Sequence, residues 1–184
     1  MKRTLALLSL LLVALTACGS SGNGNGVITG DGQILEFPTA AGRGAPINLS
    51  GTTLSGKPIS LASYRGRVVV INVWWSGCGP CLAEAPKLKA AAASTKAAFI
   101  GINVRDNSAD QGLAFEQNQG IAYPSIYSPD GQAVLAFNGS VSPQVIPATI
   151  VLDAQGRVAA VVRGAIQGND TLKDLILDAS KAAS

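Results

Sequence analysis

The sequence predicts an α/β domain in which a mixed β-sheet is covered by helices on both faces. Two nearly continuous apolar runs, at residues 67–75 and 97–104, are typical of strands buried on both faces. Each run is followed by a segment that favours helix, at residues 80–94 and 108–120. A hairpin pattern and one more helix end the chain, and this order of elements predicts the fold class.

The first elements carry clear local signals. Residues 47–61 hold two short β-type runs around the turn at residues 55–58, which predicts an N-terminal hairpin ahead of the first buried strand. Residues 80–94 are rich in alanine and favour helix. Ser108 is the expected N-cap of the second helix, and Gly120 is its expected C-terminal stop.

The second half of the chain is less uniform. Residues 131–137 fit either a weak strand or a short helix. Residues 148–153 and 157–164 flank a turn and predict an antiparallel hairpin. The closing helix, over residues 169–180, is amphipathic and places apolar side chains at Leu172, Leu175 and Ile176.

The N-terminus has the pattern of an export signal. Lys2 and Arg3 precede an apolar run of roughly 11 residues, which as a helix spans about 17 Å and falls short of a bilayer core of about 30 Å. The run ends in Leu-Thr-Ala-Cys, which resembles a bacterial lipobox. We therefore expect residues 1–17 to be a lipoprotein signal peptide and Cys18 to carry acyl chains; a plain signal peptide is the alternative.

The next segment is expected to be a tether. It begins with a Gly/Ser/Asn-rich stretch that has little to bury and behaves as a flexible chain. Residues 33–45 fit either a loose segment or one that crosses the domain surface. We assign residues 18–45 to the tether and residues 46–184 to the folded domain.

Composition excludes several classes of function. Hydrophobic residues make up 47% of the 184-residue chain and charged residues 14%, so most of it can fold around a core. The formal charge of +3 falls to about +1 without Lys2 and Arg3, which leaves 12 basic and 11 acidic residues. No basic stripe remains for nucleic acid, and we expect no nucleic-acid partner.

The central motif is Cys78-Gly79-Pro80-Cys81, at the junction between a buried strand and a helix. A zinc site needs about four ligands, and the chain has three cysteines and no histidine. A copper carrier usually adds a histidine to its thiols. A structural disulfide across two residues closes a very small loop and stabilises little. We therefore expect a redox-active dithiol that needs neither a metal nor another cofactor.

The two cysteines are expected to play different roles. Pro80 suits the first helical turn, where its missing N–H leaves no hydrogen bond unmade. Cys78 would then cap the helix, and the free N–H groups and the helix dipole would stabilise its thiolate. Cys81 lies one turn into the helix and should be more buried. The positions predict that Cys78 attacks a disulfide and that Cys81 resolves the mixed disulfide.

These features together resemble the thioredoxin fold and, more narrowly, the TlpA/ResA-like family of extracytoplasmic thiol-disulfide oxidoreductases, over about residues 47–179. The matching segments include the hairpin and leading strand at residues 56–75, the central insertion at residues 101–131 and the segment at residues 145–153. Glu84 and Pro86 match the start of the family's active-site helix. The resemblance implies a thioredoxin-like mixed sheet flanked by helices, with an N-terminal β-hairpin and a central insertion.

The resemblance also assigns a proton-transfer role to Glu84. This residue lies one helical turn after Cys81, and partial burial would raise the pKa of its carboxyl group. Asn72 stands where thioredoxins place a buried acid, and an amide cannot titrate. The alternatives are that Glu84 moves the proton of Cys81, that water does so, or that Glu84 is a solvated surface carboxylate.

Substrate contacts are implied around the cysteines. Pro147 is expected to follow a cis peptide that faces the cysteine pair, with the backbone of Ile146 free to pair with an extended substrate. Trp74 fits either substrate contact or core packing. Gly77 departs from the family pattern of a large residue before the first cysteine, which predicts a more open rim beside Cys78. The expected substrate-binding residues are Trp74, Trp75, Gly79, Pro80, Ile146 and Pro147.

The resemblance implies disulfide exchange on protein substrates at the outer face of the bacterial cytoplasmic membrane. It implies a reductant, with apocytochrome c as a candidate substrate and a membrane thiol carrier as electron donor. Two rival hypotheses stand beside it: a thiol peroxidase of the peroxiredoxin type, whose Pro/Thr-rich loop is missing around Cys78, and a non-catalytic, lipid-tethered binding module.

Overall fold

The computed structural model describes residues 26–181 apart from residues 31, 138 and 169. The expected signal peptide and the expected acylation site at Cys18 lie outside the described residues. Nine strands and three α-helices are present in the described part: β1 (Val27–Thr29), β2 (Ile34–Glu36), β3 (Ser50–Thr52), β4 (Pro58–Ser60), β5 (Val69–Trp74), α1 (Gly79–Ser94), β6 (Ala98–Asn103), α2 (Ala109–Gln119), β7 (Ser125–Tyr127), β8 (Ala148–Leu152), β9 (Val158–Arg163) and α3 (Thr171–Lys181).

The main sheet is mixed, and its seven strands have the order β1-β2-β9-β8-β5-β6-β7. Strand β5 runs parallel to β6 and antiparallel to β8, and every residue of β5 and β6 is buried. Their apolar, β-branched sequences suit such a position because both faces of each strand are covered. The predicted α/β class and the hairpin of β8 and β9 are confirmed.

Two layers cover this sheet. On one face, α1 and α3 pack against a core that includes Leu88, Leu172 and Leu175. On the other face, the 3-10 helices Leu61–Tyr64 and Gln132–Phe137 bury Leu61 and Phe137. The segment at residues 131–137, which fitted either a strand or a helix, is therefore helical.

The folded domain begins earlier than Pro46. Strands β1 and β2 lie in the stretch assigned to the tether, and β2 pairs antiparallel with β9. The guanidinium group of Arg43 is buried and lies 3.4 Å from the carboxylate of Asp153. The sequence did not indicate this because both strands have only three residues, and the strand that joins β2 to the main sheet lies more than 100 positions away. The described residues of the tether from Gly26 onward are part of the domain.

The local signals were otherwise informative. Strands β3 and β4 form the predicted N-terminal hairpin. Ser108 caps α2 through its hydroxyl group, and Gly120 ends it with a left-handed φ of 62°. Strand β7, in the central insertion, was not predicted; it extends the sheet beside β6. Among the described residues, no helix is both long and apolar enough to cross a membrane.

Candidate active site

The cysteine pair lies where the loop after β5 leads into α1. Cys78 is the N-cap residue of α1, and its Sγ accepts a hydrogen bond of 3.1 Å from the backbone N–H of Cys81. The two sulfur atoms form a disulfide bond across Cα atoms 5.2 Å apart. The predicted capping geometry is therefore present. When the disulfide is reduced, the same N–H and the dipole of a 16-residue helix favour a thiolate at Cys78.

The two cysteines are buried, but the residues between them are exposed. Cys78 is 6% exposed and Cys81 is 3% exposed, so the difference in burial has the predicted direction but is small. Gly79 and Pro80, the first two residues of α1, are exposed. A Cβ atom at Gly79 would meet nothing within 4 Å. An approaching partner therefore finds open backbone between the two cysteines.

The peptide bond between Ile146 and Pro147 is cis, as the family resemblance implied. Ile146 is partly buried and packs against the cluster that contains both cysteines. The carbonyl oxygen of Pro147 accepts a hydrogen bond of 2.9 Å from the N–H of Gly164, and Pro147 itself is buried. Ile146 rather than Pro147 therefore offers a surface beside the disulfide.

Glu84 is a buried group rather than a solvated surface carboxylate. Its side chain is on α1, one turn after Cys81, and the residue is 1% exposed. Oε1 accepts a hydrogen bond of 2.8 Å from the amide of Asn72, and Oε2 accepts one of 3.0 Å from the N–H of Ile166. Every close donor is neutral, so burial dominates and raises the pKa of Glu84 to about 6.

Asn72 connects Glu84 to the sheet. It lies in the middle of β5, where it pairs with Thr149 on β8, and its amide is 3.4 Å from the Thr149 hydroxyl. The buried amide of Asn72 therefore donates both to Oε1 of Glu84 and to the hydroxyl oxygen of Thr149. Asn72 thus orients the carboxylate of Glu84 on this side of the cysteines.

Trp74 is a core residue. It is 2% exposed, its ring stacks on Phe115 of α2 at 4.7 Å between centroids, and its Nε1 donates to the hydroxyl group of Ser125 at 3.2 Å. Of the two interpretations of Trp74, core packing is the one that fits, because so little of its surface is accessible to a substrate.

The space beside Cys78 that a side chain at position 77 would occupy is taken by a neighbouring residue. A Cβ atom placed on Gly77 would lie 2.4 Å from a ring carbon of Trp75. The indole of Trp75 therefore lies over the backbone at Gly77 and fills the space that a side chain there would take. The prediction of a more open rim considered only the residue at position 77, whereas Trp75 occupies the space beside it.

A buried carboxylate that the sequence analysis missed holds the active-site loop. Asp106 is 1% exposed and accepts hydrogen bonds from the backbone N–H of Ser76 at 3.2 Å and from its hydroxyl group at 2.7 Å. Asn103 donates to the same carboxylate at 2.7 Å. Gln111 adds a bond of 2.9 Å to the Ser76 hydroxyl. The sequence feature that could have identified Asp106 is its position three residues after the end of the buried strand β6.

The geometry of this site has counterparts in known proteins. The sequence profile described as Redoxin matches residues 36–176. The chain is 30% identical over 158 residues to the thiol-disulfide oxidoreductase ResA of Bacillus subtilis (strain 168), which covers 84% of this chain and 82% of that protein. It is 31% identical over 116 residues to the soluble secreted antigen MPT53 of Mycobacterium tuberculosis (strain ATCC 25618 / H37Rv), covering 61% and 65% of the two chains.

Solved structures give the same result. A secreted thiol-disulfide isomerase from Corynebacterium glutamicum superposes with a TM-score of 0.72 at 32% identity, covering 84% of this chain and 98% of that one. A DsbF homologue from Corynebacterium diphtheriae superposes with a TM-score of 0.67, also at 32% identity, covering 88% and 96%. In these comparisons the similarity spans most of the described domain.

Proposed function

The chain belongs to the Redoxin family and is a ResA-like thiol-disulfide oxidoreductase, and we propose that it acts as a protein disulfide reductase anchored by lipid outside the cytoplasmic membrane. The observation that carries the proposal is the Cys78–Cys81 pair at the N-terminus of α1. A capped thiolate with open backbone beside it is suited to attack a disulfide in another protein.

In the proposed reaction, the Cys78 thiolate attacks one sulfur of the substrate disulfide. A bond forms between Cys78 and that sulfur, the substrate S–S bond breaks, and the other substrate sulfur leaves as a thiolate. The Cys81 sulfur, once deprotonated, attacks Sγ of Cys78 and releases the second substrate thiol. The substrate gains two electrons, and the enzyme ends as the Cys78–Cys81 disulfide.

We propose that Glu84 accepts the proton of Cys81 in the second step. A pKa of about 6 lies close enough to neutral pH for the carboxylate to take up and release a proton during turnover. Glu84 is on the same helix one turn further on, and its neutral hydrogen-bond partners leave it free to change charge.

The substrate contacts that we propose are Trp75, Gly79, Pro80 and Ile146, with Pro147 supplying the cis peptide bond that follows Ile146. Gly79 and Pro80 are exposed between the two cysteines, and the partly buried Ile146 packs against the cluster that contains the disulfide. An extended substrate segment lying between them would bring its cysteine to Cys78, with the backbone of Ile146 as its hydrogen-bond partner.

The lipid anchor at Cys18 and the location are proposed from the sequence and from relatives named as secreted. Fractionation of expressing cells tests the anchor. We expect the full-length protein in the membrane fraction, and Cys18→Ala outside it. Wild-type protein that is released as readily as the Cys18→Ala variant would exclude the anchor.

The direction of electron flow is tested by the redox midpoint of the Cys78–Cys81 pair in the full-length protein. A midpoint near about −270 mV would support a reductant supplied by a membrane thiol carrier, with apocytochrome c as a candidate substrate. A midpoint near about −120 mV would indicate an oxidant and exclude the reductase proposal.

A kinetic experiment separates the rival hypotheses. The reduced protein should reduce a disulfide peptide, and Cys78→Ser should not. Peroxide consumption faster than peptide reduction would favour a peroxidase instead. If the wild-type protein exchanges disulfides no faster than Cys78→Ser, the non-catalytic binding module is the hypothesis that remains.

A further inference from the structure

Trp75 and Gly77 form a matched pair beside the reactive cysteine. A Cβ atom on Gly77 would approach three ring carbons of Trp75 to 2.4, 2.6 and 3.0 Å. The φ angle of Gly77 is not positive, so the backbone itself would accept any residue at this position. The ring of Trp75, rather than the backbone, is what requires a glycine here.

The side chain of Trp75 is partly buried and partly accessible to solvent. Trp75 packs partly against the main core and partly against the cluster of Leu54, Trp74, Cys78 and Cys81. The residue is nevertheless only half-buried, and Gly77 beneath the ring is exposed. The side chain of Trp75 therefore lies at the edge of the cysteine site and keeps part of its surface accessible.

The two chain segments that flank the cysteine pair, residues 75–83 and 140–146, carry no charged side chain and are partly apolar. Leu82, which follows Cys81, is 48% exposed, and Val145, which precedes Ile146, is 37% exposed. No residue from Trp75 to Ala83 carries a charge. A substrate residue next to the attacked cysteine would therefore meet an aromatic ring and aliphatic side chains, and a charged residue there would find no partner in this segment.

We infer that Trp75 is a specificity-determining residue: its ring, seated on Gly77, selects disulfides whose attacked cysteine is flanked by apolar residues over those flanked by acidic residues. The inference uses disulfide exchange itself and does not depend on the direction of electron flow. It can fail while the reductase proposal holds, and the reverse is also possible.

The test compares two peptides that share one intramolecular disulfide and differ in the residues beside the attacked cysteine, either Leu or Asp. We expect reduced wild-type protein to react faster with the Leu peptide. Trp75→Ala should lower the rate for the Leu peptide by about tenfold, which is the effect of losing an apolar contact of moderate area. The rate for the Asp peptide should change by less than about twofold.

Two further variants distinguish the effect of the indole position on selectivity from a general effect on folding. Gly77→Val keeps Trp75 but displaces its ring, and it should lower the Leu/Asp rate ratio as Trp75→Ala does. The double variant Trp75→Gly with Gly77→Trp moves an indole to the other position of the pair, and it should recover much of the ratio. Thermal unfolding and the redox midpoint of each variant serve as controls for folding and for the cysteine pair.

Three results would overturn the inference. The first is a Trp75→Ala variant that slows both peptides equally, since this would indicate a general effect on the cysteines. The second is a wild-type rate ratio near one. The third is a double variant that is no more selective than Gly77→Val.

Discussion

Glu84 and Asp153 are both buried carboxylates, at 1% and 0% exposure; Glu84 is on α1, and Asp153 directly follows β8. Asp153 follows β8, and its Oδ2 lies 2.8 Å from the guanidinium of Arg157 and 3.4 Å from that of Arg43. Within the described residues, Glu84 meets only the neutral donors of Asn72 and Ile166 at hydrogen-bond distance. In this part of the chain, two cations therefore contact Asp153 and none contacts Glu84.

The difference shows that burial by itself does not define the role of an acid. Asp153 acts as an anchor, because it ties the segment around Arg43 and the turn between β8 and β9 into one charged cluster. Glu84 is buried without a contacting cation, and its pKa is raised to about 6 for that reason. Such a group changes charge near neutral pH, which is useful beside a cysteine that must lose a proton.

Removing the anchor should have the largest effect. Asp153→Asn leaves two guanidinium groups, one of them fully enclosed, without a counter-charge, and we expect a loss of about 3–5 kcal/mol in the free energy of unfolding. Urea unfolding of the oxidised protein measures it. Asp178→Asn is the matched control, because Asp178 pairs with Lys181 on the surface, and we expect a loss of at most about 1 kcal/mol. Equal losses would refute the assignment of Asp153 as an anchor.

The two arginines should differ from each other. The side chain of Arg43 is 1% exposed and also donates to backbone carbonyl groups of Phe37 and Ala179, whereas that of Arg157 is 20% exposed. We expect Arg43→Ala to cost about 2–3 kcal/mol and Arg157→Ala about 1 kcal/mol. The same urea titration applies. The opposite order would mean that the N-terminal segment contributes little to stability.

The burial of Glu84 should make the free energy of unfolding depend on pH. Its folded-state pKa, about 6, lies above the ordinary value of 4.5, so the folded protein holds more protons than the unfolded chain between these values. The free energy of unfolding therefore falls as pH rises through this window, by about 2 kcal/mol in total. Glu84→Gln lacks this loss because a glutamine side chain does not titrate, and the amide of Asn72 can turn to keep the hydrogen bond.

We therefore expect Glu84→Gln to gain about 2 kcal/mol relative to wild type between pH 4 and pH 7.5. Urea unfolding of both oxidised proteins at the two pH values measures the difference. Parallel pH profiles for the two proteins would show that Glu84 is no more protonated in the folded state than in the unfolded chain.

The smallest effect concerns Lys87. Its ammonium group donates to the carbonyl oxygens of Ile166 and Gln167 at 2.7 and 2.8 Å, and its charge lowers the pKa of Glu84. Lys87→Met should move the Glu84 titration to higher pH by less than about one unit. Carbon-detected NMR of the Glu84 carboxyl group measures it. Lys89→Met, two residues along the same helix and exposed, is the control; a shift of equal size there would indicate a nonspecific charge effect.

Resemblance to known proteins predicted the thioredoxin-like family, whereas local sequence patterns predicted the fold class and the position of the redox pair. These features depend on short-range rules: apolar runs form buried strands, a residue at a helix N-terminus caps it, and a glycine ends a helix. Cys78 as N-cap, Ser108 and Gly120 follow from contacts within one helical turn. Each could therefore be predicted without knowledge of the rest of the chain.

Tertiary structure decided the properties that need partners distant in the sequence. The pKa of Glu84 depends on Ile166, 82 residues later, and the active-site loop depends on Asp106, 30 residues after Ser76. The segment before Pro46 folds because β2 pairs with β9, and the space for a side chain at position 77 is filled because the ring of Trp75 lies there. Burial and packing depend on which surfaces the fold brings together, and local sequence patterns do not contain that information.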